Sequence, residues 1–155
     1  MEFWMFDTPL GIMAVGEEDG CITRVWLPDS TMPRLMPHMT PLLERAQGQI
    51  MEYLNGQRQE FDLPLAFVGT DFQKKVWKAL TQIPYGTTTT YGALAETVGC
   101  PGGARAVGMA NHRNPLPILV ACHRVVGAKG QLTGYAGGLE MKRALLELER
   151  GKNPL

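Results

Sequence analysis

The segment from residue 115 to residue 127 constrains the fold more than any other part of the chain. Its sequence, PLPILVACHRVVG, sets an apolar run between a Pro-x-Pro entry and a Cys-His-Arg triplet. A proline keeps the preceding residue extended, and a short apolar run bounded by turn residues is typical of a buried strand. The segment therefore predicts a buried strand over residues 118–121 that ends at Cys122.

Cys122 admits two interpretations. A free cysteine after an apolar run is usually a small buried hydrophobe. The thiolate, however, is the nucleophilic form, and a thiol with a pKa of about 8.5 needs a basic or cationic neighbour to form it at neutral pH. His123 and Arg124 follow directly in the chain. Because adjacent residues of a strand point to opposite faces, a water or a local bend would have to connect His123 to the sulfur.

Composition narrows the class of protein. The chain has 155 residues, of which 45% are hydrophobic, and this suffices for one core or two small lobes. No apolar run approaches the roughly 20 residues of a membrane span, and the first residues, MEFWMFD, lack the features of a secretory signal. The three cysteines form no Cys-x-x-Cys pair, which favours a reducing compartment. We therefore predict a cytoplasmic protein with no membrane contact.

The formal net charge of zero hides an asymmetry between the two halves of the chain. Residues 1–66 carry four basic and ten acidic side chains, whereas residues 67–155 carry eleven basic and five acidic ones. A basic half suits a polyanion such as nucleic acid, and such binding would weaken as salt rises. Charges also cluster on solvated faces that bind nothing, so the asymmetry leaves both interpretations open.

Turn residues and apolar spacing predict an α/β protein with two lobes, residues 1–66 and 67–155. The first lobe would hold a small antiparallel sheet, with strands over residues 3–6, 11–15 and 21–27, and a helix over 41–54. The second would be mostly helical, with helices over residues 71–82, 91–98, 104–111 and 139–150. The middle pair, joined by a glycine turn, is typical of a helix-turn-helix, although many helical hairpins look alike and bind nothing.

Three motifs around Cys122 resemble the O6-alkylguanine-DNA alkyltransferases. They are Asn114-Pro115, Cys122-His123-Arg124-Val125 and the glycine-rich stretch GYAGGL at 134–139. The resemblance covers residues 69–150 closely and the first 66 residues loosely. It implies a ribonuclease H-like first lobe and a second lobe that binds double-stranded DNA in the minor groove. It also implies a monomer that transfers the alkyl group of O6-alkylguanine to Cys122 once per molecule, with O4-alkylthymine as a further candidate substrate.

The resemblance implies no cofactor, and it raises the question of a metal. Some members of this family carry a zinc site in the first lobe, built from Cys and His side chains. Only Cys21 and His38 are available there, which is too few for four-coordinate zinc. We therefore predict no metal site.

The resemblance also implies the catalytic roles. Cys122 would attack the alkyl carbon, and His123 would take the thiol proton through a water while Glu149 orients it. Asn114 would hold the histidine, and Tyr91 would supply a proton to the departing guanine. Each of the last three has a plain alternative: Tyr91 as a packed aromatic, Glu149 as a surface acid and Asn114 as a turn residue.

The substrate and DNA contacts follow from the same resemblance. The guanine pocket would be formed by Val125, Tyr135 and Ala136. Arg105 would fill the space left by the extruded base, because chemistry on a base edge requires that the base leave the stack. The rest of the DNA surface would comprise Tyr91, Ala104, Ala106, Gly108 and Met109. The chain departs from the family in having Ala121 where a proline usually precedes the cysteine, which leaves that backbone less constrained.

Three other functions compete with alkyl transfer. A protein that only senses alkylated DNA would lack the reactive cysteine, whereas this chain has Cys122 at that position. A helix-turn-helix regulator would need base-reading side chains, yet the second helix of the pair is rich in small residues. A cysteine hydrolase would need an oxyanion hole and an acyl pocket. The sequence favours alkyl transfer over all three.

Overall fold

The first part of the chain folds into a three-stranded antiparallel meander and a helix. The computed structural model describes residues 1–152 and residue 155. Strands β1 (Glu2–Thr8), β2 (Gly11–Glu18) and β3 (Cys21–Trp26) pair in chain order, with a bulge at residues 16 and 17 of β2. Helix α1 (Pro41–Leu54) begins after Thr40, whose side chain accepts a hydrogen bond from the backbone N–H of Leu43. The predicted meander and helix are both present.

The second part of the chain contains four α-helices. They are α2 (Asp71–Leu80), α3 (Tyr91–Thr97), α4 (Ala104–His112) and α5 (Leu139–Glu149). Thr70 and Gln73 form a reciprocal capping box at the start of α2, and Thr90 caps α3. Gly99 and Gly102 have φ near +75° and +79°, a left-handed conformation that lets the chain turn between α3 and α4. Both helices pack on α2, and the indole N–H of Trp77 donates to the carbonyl of Ala110 at 2.8 Å.

A short parallel pair of strands ties α3 to the cysteine segment. Strand β4 (Thr89–Thr90) runs beside β5 (Val125–Val126), with Thr89 opposite Val125. Because α3 begins directly after β4, this pairing fixes the position of Tyr91 relative to the residues that follow Cys122. The pairing brings together two segments about 35 residues apart in sequence, as a parallel connection requires.

The predicted strand over residues 118–121 is wrong. Ile118 has φ of +73°, and the backbone N–H of Val120 bonds the carbonyl of Leu116 at 2.9 Å, so the chain forms a tight loop there. A short 3₁₀ helix (Cys122–Arg124) follows at once. The apolar residues are buried as predicted, but they lie in a loop and not in a strand. A β-branched residue in the left-handed backbone conformation costs free energy, so neighbouring contacts must hold this loop in place.

One hydrophobic core connects the first and second parts of the chain. It runs from the sheet through α1, including Ile50 and Tyr53, to Trp77 of α2 and Leu145 of α5. Among residues 1–152, no helix combines the length and apolar character needed to cross a bilayer. The same range contains no cluster of three or more His, Cys, Asp or Glu side chains that could hold a metal ion.

Candidate active site

Cys122 begins the 3₁₀ helix and is buried, with 5% of its surface exposed. Burial raises the pKa of its thiol to about 11, although the Asn114 side chain and the Lys142 ammonium act in the opposite direction. The thiol is therefore protonated at neutral pH in the free protein. A nucleophilic thiolate requires a base that takes the proton when the substrate is in place.

His123 and Glu149 form a buried pair directly beside the cysteine. The imidazole Nε2 lies 2.7 Å from a carboxylate oxygen of Glu149, and both side chains are almost fully buried. Arg124 donates to the same carboxylate from Nε at 2.8 Å and from an Nη at 3.0 Å. The Tyr53 hydroxyl also donates to it, which connects α1 to this network. Glu149 is therefore not a surface acid but the centre of a hydrogen-bonded cluster.

The charges of this cluster set the protonation of His123. Burial alone would raise the pKa of Glu149, but hydrogen bonds from His123, Arg124 and Tyr53 hold it well below its usual range. Burial lowers the pKa of His123, so the imidazole is neutral at pH 7. An ionised carboxylate only accepts hydrogen bonds, so Nε2 of His123 carries the proton. Nδ1 is then an acceptor, and it is buried with no hydrogen-bond partner among the described residues.

Asn114 does not hold the histidine as predicted. Its amide nitrogen donates to the carbonyl of Val120 at 3.0 Å, and its amide oxygen accepts from the backbone N–H of Leu116 at 2.9 Å. These two bonds brace the loop that contains the left-handed Ile118. Asn114 thus positions the segment before Cys122, and its side chain also favours the thiolate form of Cys122.

Tyr91, the first residue of α3, lies beside Lys142, a residue that the sequence did not single out. Its hydroxyl donates to the carbonyl of Thr133 at 3.1 Å, and the fully buried Lys142 has its ammonium 5.9 Å from the phenol ring centre. The Lys142 ammonium donates to the carbonyls of Val125 at 2.6 Å and Thr133 at 2.8 Å. Lys142 precedes Glu149 by seven residues, so helical spacing alone would have placed both on one face of α5.

The three residues predicted for the guanine pocket differ in burial. Val125 and Tyr135 are buried, whereas Ala136 is exposed in the glycine-rich segment. The Tyr135 hydroxyl has no hydrogen-bond partner among the described residues. Ala136 lines a cleft of about 520 Å³ together with Pro117, Asn114 and Arg24 of β3. Cys122, Val125 and Tyr135 are not among the residues that line this cleft.

Helix α4 offers a surface of small residues with one long cation. Arg105 and Ala106 are exposed, Met109 is 57% exposed, and Ala104 and Gly108 are partly exposed. The Tyr91 ring lies next to Gly108, where an added Cβ would sit 3.6 Å from the ring. The residues predicted for DNA contact therefore share one surface, formed by α4 and the start of α3.

The chain matches known proteins along nearly its full length. Residues 71–151 match the family model described as 6-O-methylguanine DNA methyltransferase, DNA binding domain. The chain belongs to this methyltransferase family. It is 46% identical over 151 residues to a methylated-DNA–protein-cysteine methyltransferase of Mycobacterium bovis, covering 96% of this chain and 92% of the relative. It is 47% identical over 152 residues to the constitutive methyltransferase of that name in Bacillus subtilis, covering 93% and 92%.

The solved structures agree with this membership. The crystal structure of Mycobacterium tuberculosis OGT in complex with DNA matches with a TM-score of 0.92 at 44% identity, covering 99% of this chain and 96% of that one. The M. tuberculosis O6-methylguanine methyltransferase matches with a TM-score of 0.89 at 43% identity, covering 99% and 94%. The resemblance drawn from the motifs around Cys122 is therefore confirmed, and with it the α/β architecture.

Proposed function

We propose that this methyltransferase repairs DNA by moving the alkyl group of O6-alkylguanine onto Cys122, once per molecule. The observation that supports this most strongly is the buried His123–Glu149 pair next to a protonated, buried thiol. The pair provides a neutral base in the residue that follows the nucleophile, and the Nδ1 of that base has no hydrogen-bond partner in the part of the chain that the structure describes. Such an arrangement suits a thiol that is activated only when substrate is bound.

The transfer is a direct displacement in which atoms and charges balance. His123 accepts the thiol proton at Nδ1 through a water, and the sulfur attacks the alkyl carbon. The new carbon–sulfur bond forms as the bond from that carbon to O6 breaks, so the guanine departs with an extra electron pair. Tyr91 supplies a proton to the departing base, because a neutral base leaves more easily than an anion. The thioether is stable, so no step regenerates the thiol.

DNA would be bound by α3 and α4 acting as a helix-turn-helix. The small residues of α4 allow its backbone to approach a minor groove closely, and the lone Arg105 projects from the exposed face to occupy the gap left by the extruded guanine. Val125, Tyr135 and Ala136 would then enclose the base. The proposed protein has two lobes, residues 1–66 and 67–155. It is cytoplasmic and monomeric. O4-alkylthymine is a further candidate substrate.

The test is repair stoichiometry with a duplex that contains one O6-methylguanine. We expect restored guanine to reach about one mole per mole of protein and then to stop. Cys122→Ala should restore none while retaining DNA affinity, because the buried thiol contributes nothing to the exposed α4 surface. Loss of DNA binding together with transfer would contradict the assignment. DNA binding by the wild-type protein without restored guanine would point to a sensor of alkylated DNA.

A further inference from the structure

Tyr53 brings a phenol from the first part of the chain to the buried His123–Glu149 pair. It lies in the last turn of α1 and is fully buried. Its ring lies edge-on to the imidazole of His123, with 6.5 Å between the ring centres, and packs against the ring of Phe61 at 5.4 Å. These contacts fix the position of the phenol, so its hydroxyl is directed at residues of the second part of the chain.

The Tyr53 hydroxyl forms a triangle with the two members of the pair. It donates to Oε2 of Glu149, and this is the same oxygen that lies 2.7 Å from Nε2 of His123. The phenol oxygen is itself 3.3 Å from that Nε2. Burial and the nearby carboxylate raise the pKa of Tyr53, so the phenol keeps its proton and remains a donor. Tyr53 and His123 therefore donate to one carboxylate oxygen.

This geometry acts on His123 in two ways. The single proton of the phenol is directed at Glu149, so the phenol oxygen offers only lone pairs to Nε2. The imidazole then faces two acceptors on its Nε2 side, which favours the tautomer with the proton on Nε2 and the lone pair on Nδ1. In addition, the O–H dipole offsets part of the carboxylate charge. That charge is what would stabilise a second proton on the imidazole.

The other titratable groups near the pair differ from Tyr53 in their effect. They are Lys142 of α5, Arg124 and Cys122 of the 3₁₀ helix, and Tyr85 and Tyr135. Burial and the cations of Arg124 and Lys142 disfavour a charged imidazole, whereas the Glu149 carboxylate favours it. Tyr53 opposes the carboxylate with an uncharged donor, so its hydroxyl can be removed without leaving a buried charge unpaired.

We propose that Tyr53 is a positioning residue that keeps His123 uncharged, with its lone pair at Nδ1, until the thiol of Cys122 gives up its proton. This inference rests on the proposed function, in which His123 is the proton acceptor. Tyr53 does not contact the substrate in this role, because it acts through Glu149. The first lobe thereby takes part in alkyl transfer, and the hydroxyl extends the reaction to lower pH.

The experiment measures the protonation of His123 and the rate of transfer separately. NMR of protein with ¹⁵N-labelled histidine gives the tautomer and the pH midpoint of the imidazole, with the exposed His38 and His112 as internal references. Single-turnover reaction with free O6-benzylguanine gives the pH dependence of the rate. Tyr53→Phe keeps the ring and removes the hydroxyl. We expect it to raise both the His123 midpoint and the acid limb of the rate by about one pH unit, the size of one hydrogen bond to a charged group.

Tyr85→Phe is the matched control. The Tyr85 ring lies 6.2 Å from that of Tyr53 and 5.6 Å from the Arg124 guanidinium carbon, but its hydroxyl does not bond Glu149. Its removal should leave the His123 midpoint and the acid limb unchanged.

Three results would overturn the inference. They are an unchanged His123 midpoint in Tyr53→Phe, an equal shift in Tyr85→Phe, and a wild-type imidazole that carries its proton on Nδ1 at neutral pH. The last result needs no variant, so it holds even if Tyr53→Phe fails to fold. A wild-type protein with the expected tautomer and midpoints that accepts no benzyl group would instead refute the proposed function.

Discussion

Replacing Glu149 by glutamine tests the cluster on which the site is built. The carboxylate accepts hydrogen bonds from two of the three guanidinium nitrogens of Arg124, from His123, from Tyr53 and from the backbone N–H of Gly86. A glutamine amide has one acceptor oxygen, so whichever way it turns it sets an N–H against existing donors. It also leaves the Arg124 charge without its partner in a buried position.

The expected loss in the free energy of unfolding is large, although the substitution only exchanges a carboxylate oxygen for an amide nitrogen. Breaking a buried ion pair by removing one partner typically costs about 3–5 kcal/mol, and this is the loss we expect in the free energy of unfolding at pH 7. The folded pKa of Glu149 is depressed, so its stabilisation is present above the unfolded value of about 4.3 and is lost as the pH falls below it. The difference between wild type and variant should therefore narrow below about pH 4.

Urea unfolding at pH 7 and at pH 3.5 measures both effects. Glu147→Gln is the matched control, since Glu147 lies on the same helix and makes no side-chain bond to the cluster. It should change stability by less than about 0.5 kcal/mol. A Glu149→Gln loss of similar size to this control at pH 7 would show that the cluster is not the support that the hydrogen bonds indicate.

Three further predictions concern the thiol, the histidine and the DNA surface. With Cys21 and Cys100 replaced by serine, iodoacetamide should label Cys122 about tenfold faster per pH unit from pH 7 to 10, because its pKa is about 11; a plateau below pH 9 would contradict this. The folded pKa of His123 is depressed, so the unfolded chain binds an extra proton below pH 6.5 and stability falls there by up to about 1.4 kcal/mol per unit. His123→Gln should flatten that pH dependence in urea unfolding at pH 7.5 and 5.5, and unchanged slopes would count against a neutral imidazole. Arg105→Ala should slow repair in duplex DNA more than reaction with free O6-benzylguanine, because its proposed role exists only in the duplex; equal losses would remove that role.

Regular elements and exposed surfaces could be predicted from the sequence. All five helices, α1 to α5, begin at the predicted residue, and their last residues differ from the predicted ones by at most two positions. The meander follows from its turn signals in the same way. These features are local, so the information that sets them lies within a few residues of each position.

The cysteine segment could not be predicted in the same way. An apolar run indicates burial but not backbone dihedral angles, and Ile118 adopts a left-handed conformation that no propensity favours. The loop is fixed by Asn114, whose two hydrogen bonds depend on how the chain folds back. Likewise, the bond between Tyr53 and Glu149 joins residues 96 positions apart. Nothing local to either residue indicates that contact.

The burial of the charged Lys142 side chain could not be predicted from the sequence either. Lysine is rarely buried without a partner, so the residue type predicts an exposed side chain at position 142 and not one in the site. Its partners are backbone carbonyls, which leave no trace in a sequence of side chains. Lys142 and Glu149 are seven residues apart, which places both on one face of a helix. That spacing is the kind of signal that identifies the inner face of a terminal helix.

The most direct measurement is the mass of the peptide that contains Cys122 after incubation with a duplex bearing O6-(trideuteromethyl)guanine. The label distinguishes methyl groups that come from the lesion from those of any other source. The peptide should gain one CD₃ group in place of a hydrogen, about 17 daltons, and fragment ions should locate it on sulfur, while His123→Gln slows its appearance. An unmodified Cys122 peptide, or label on another residue, would contradict the account.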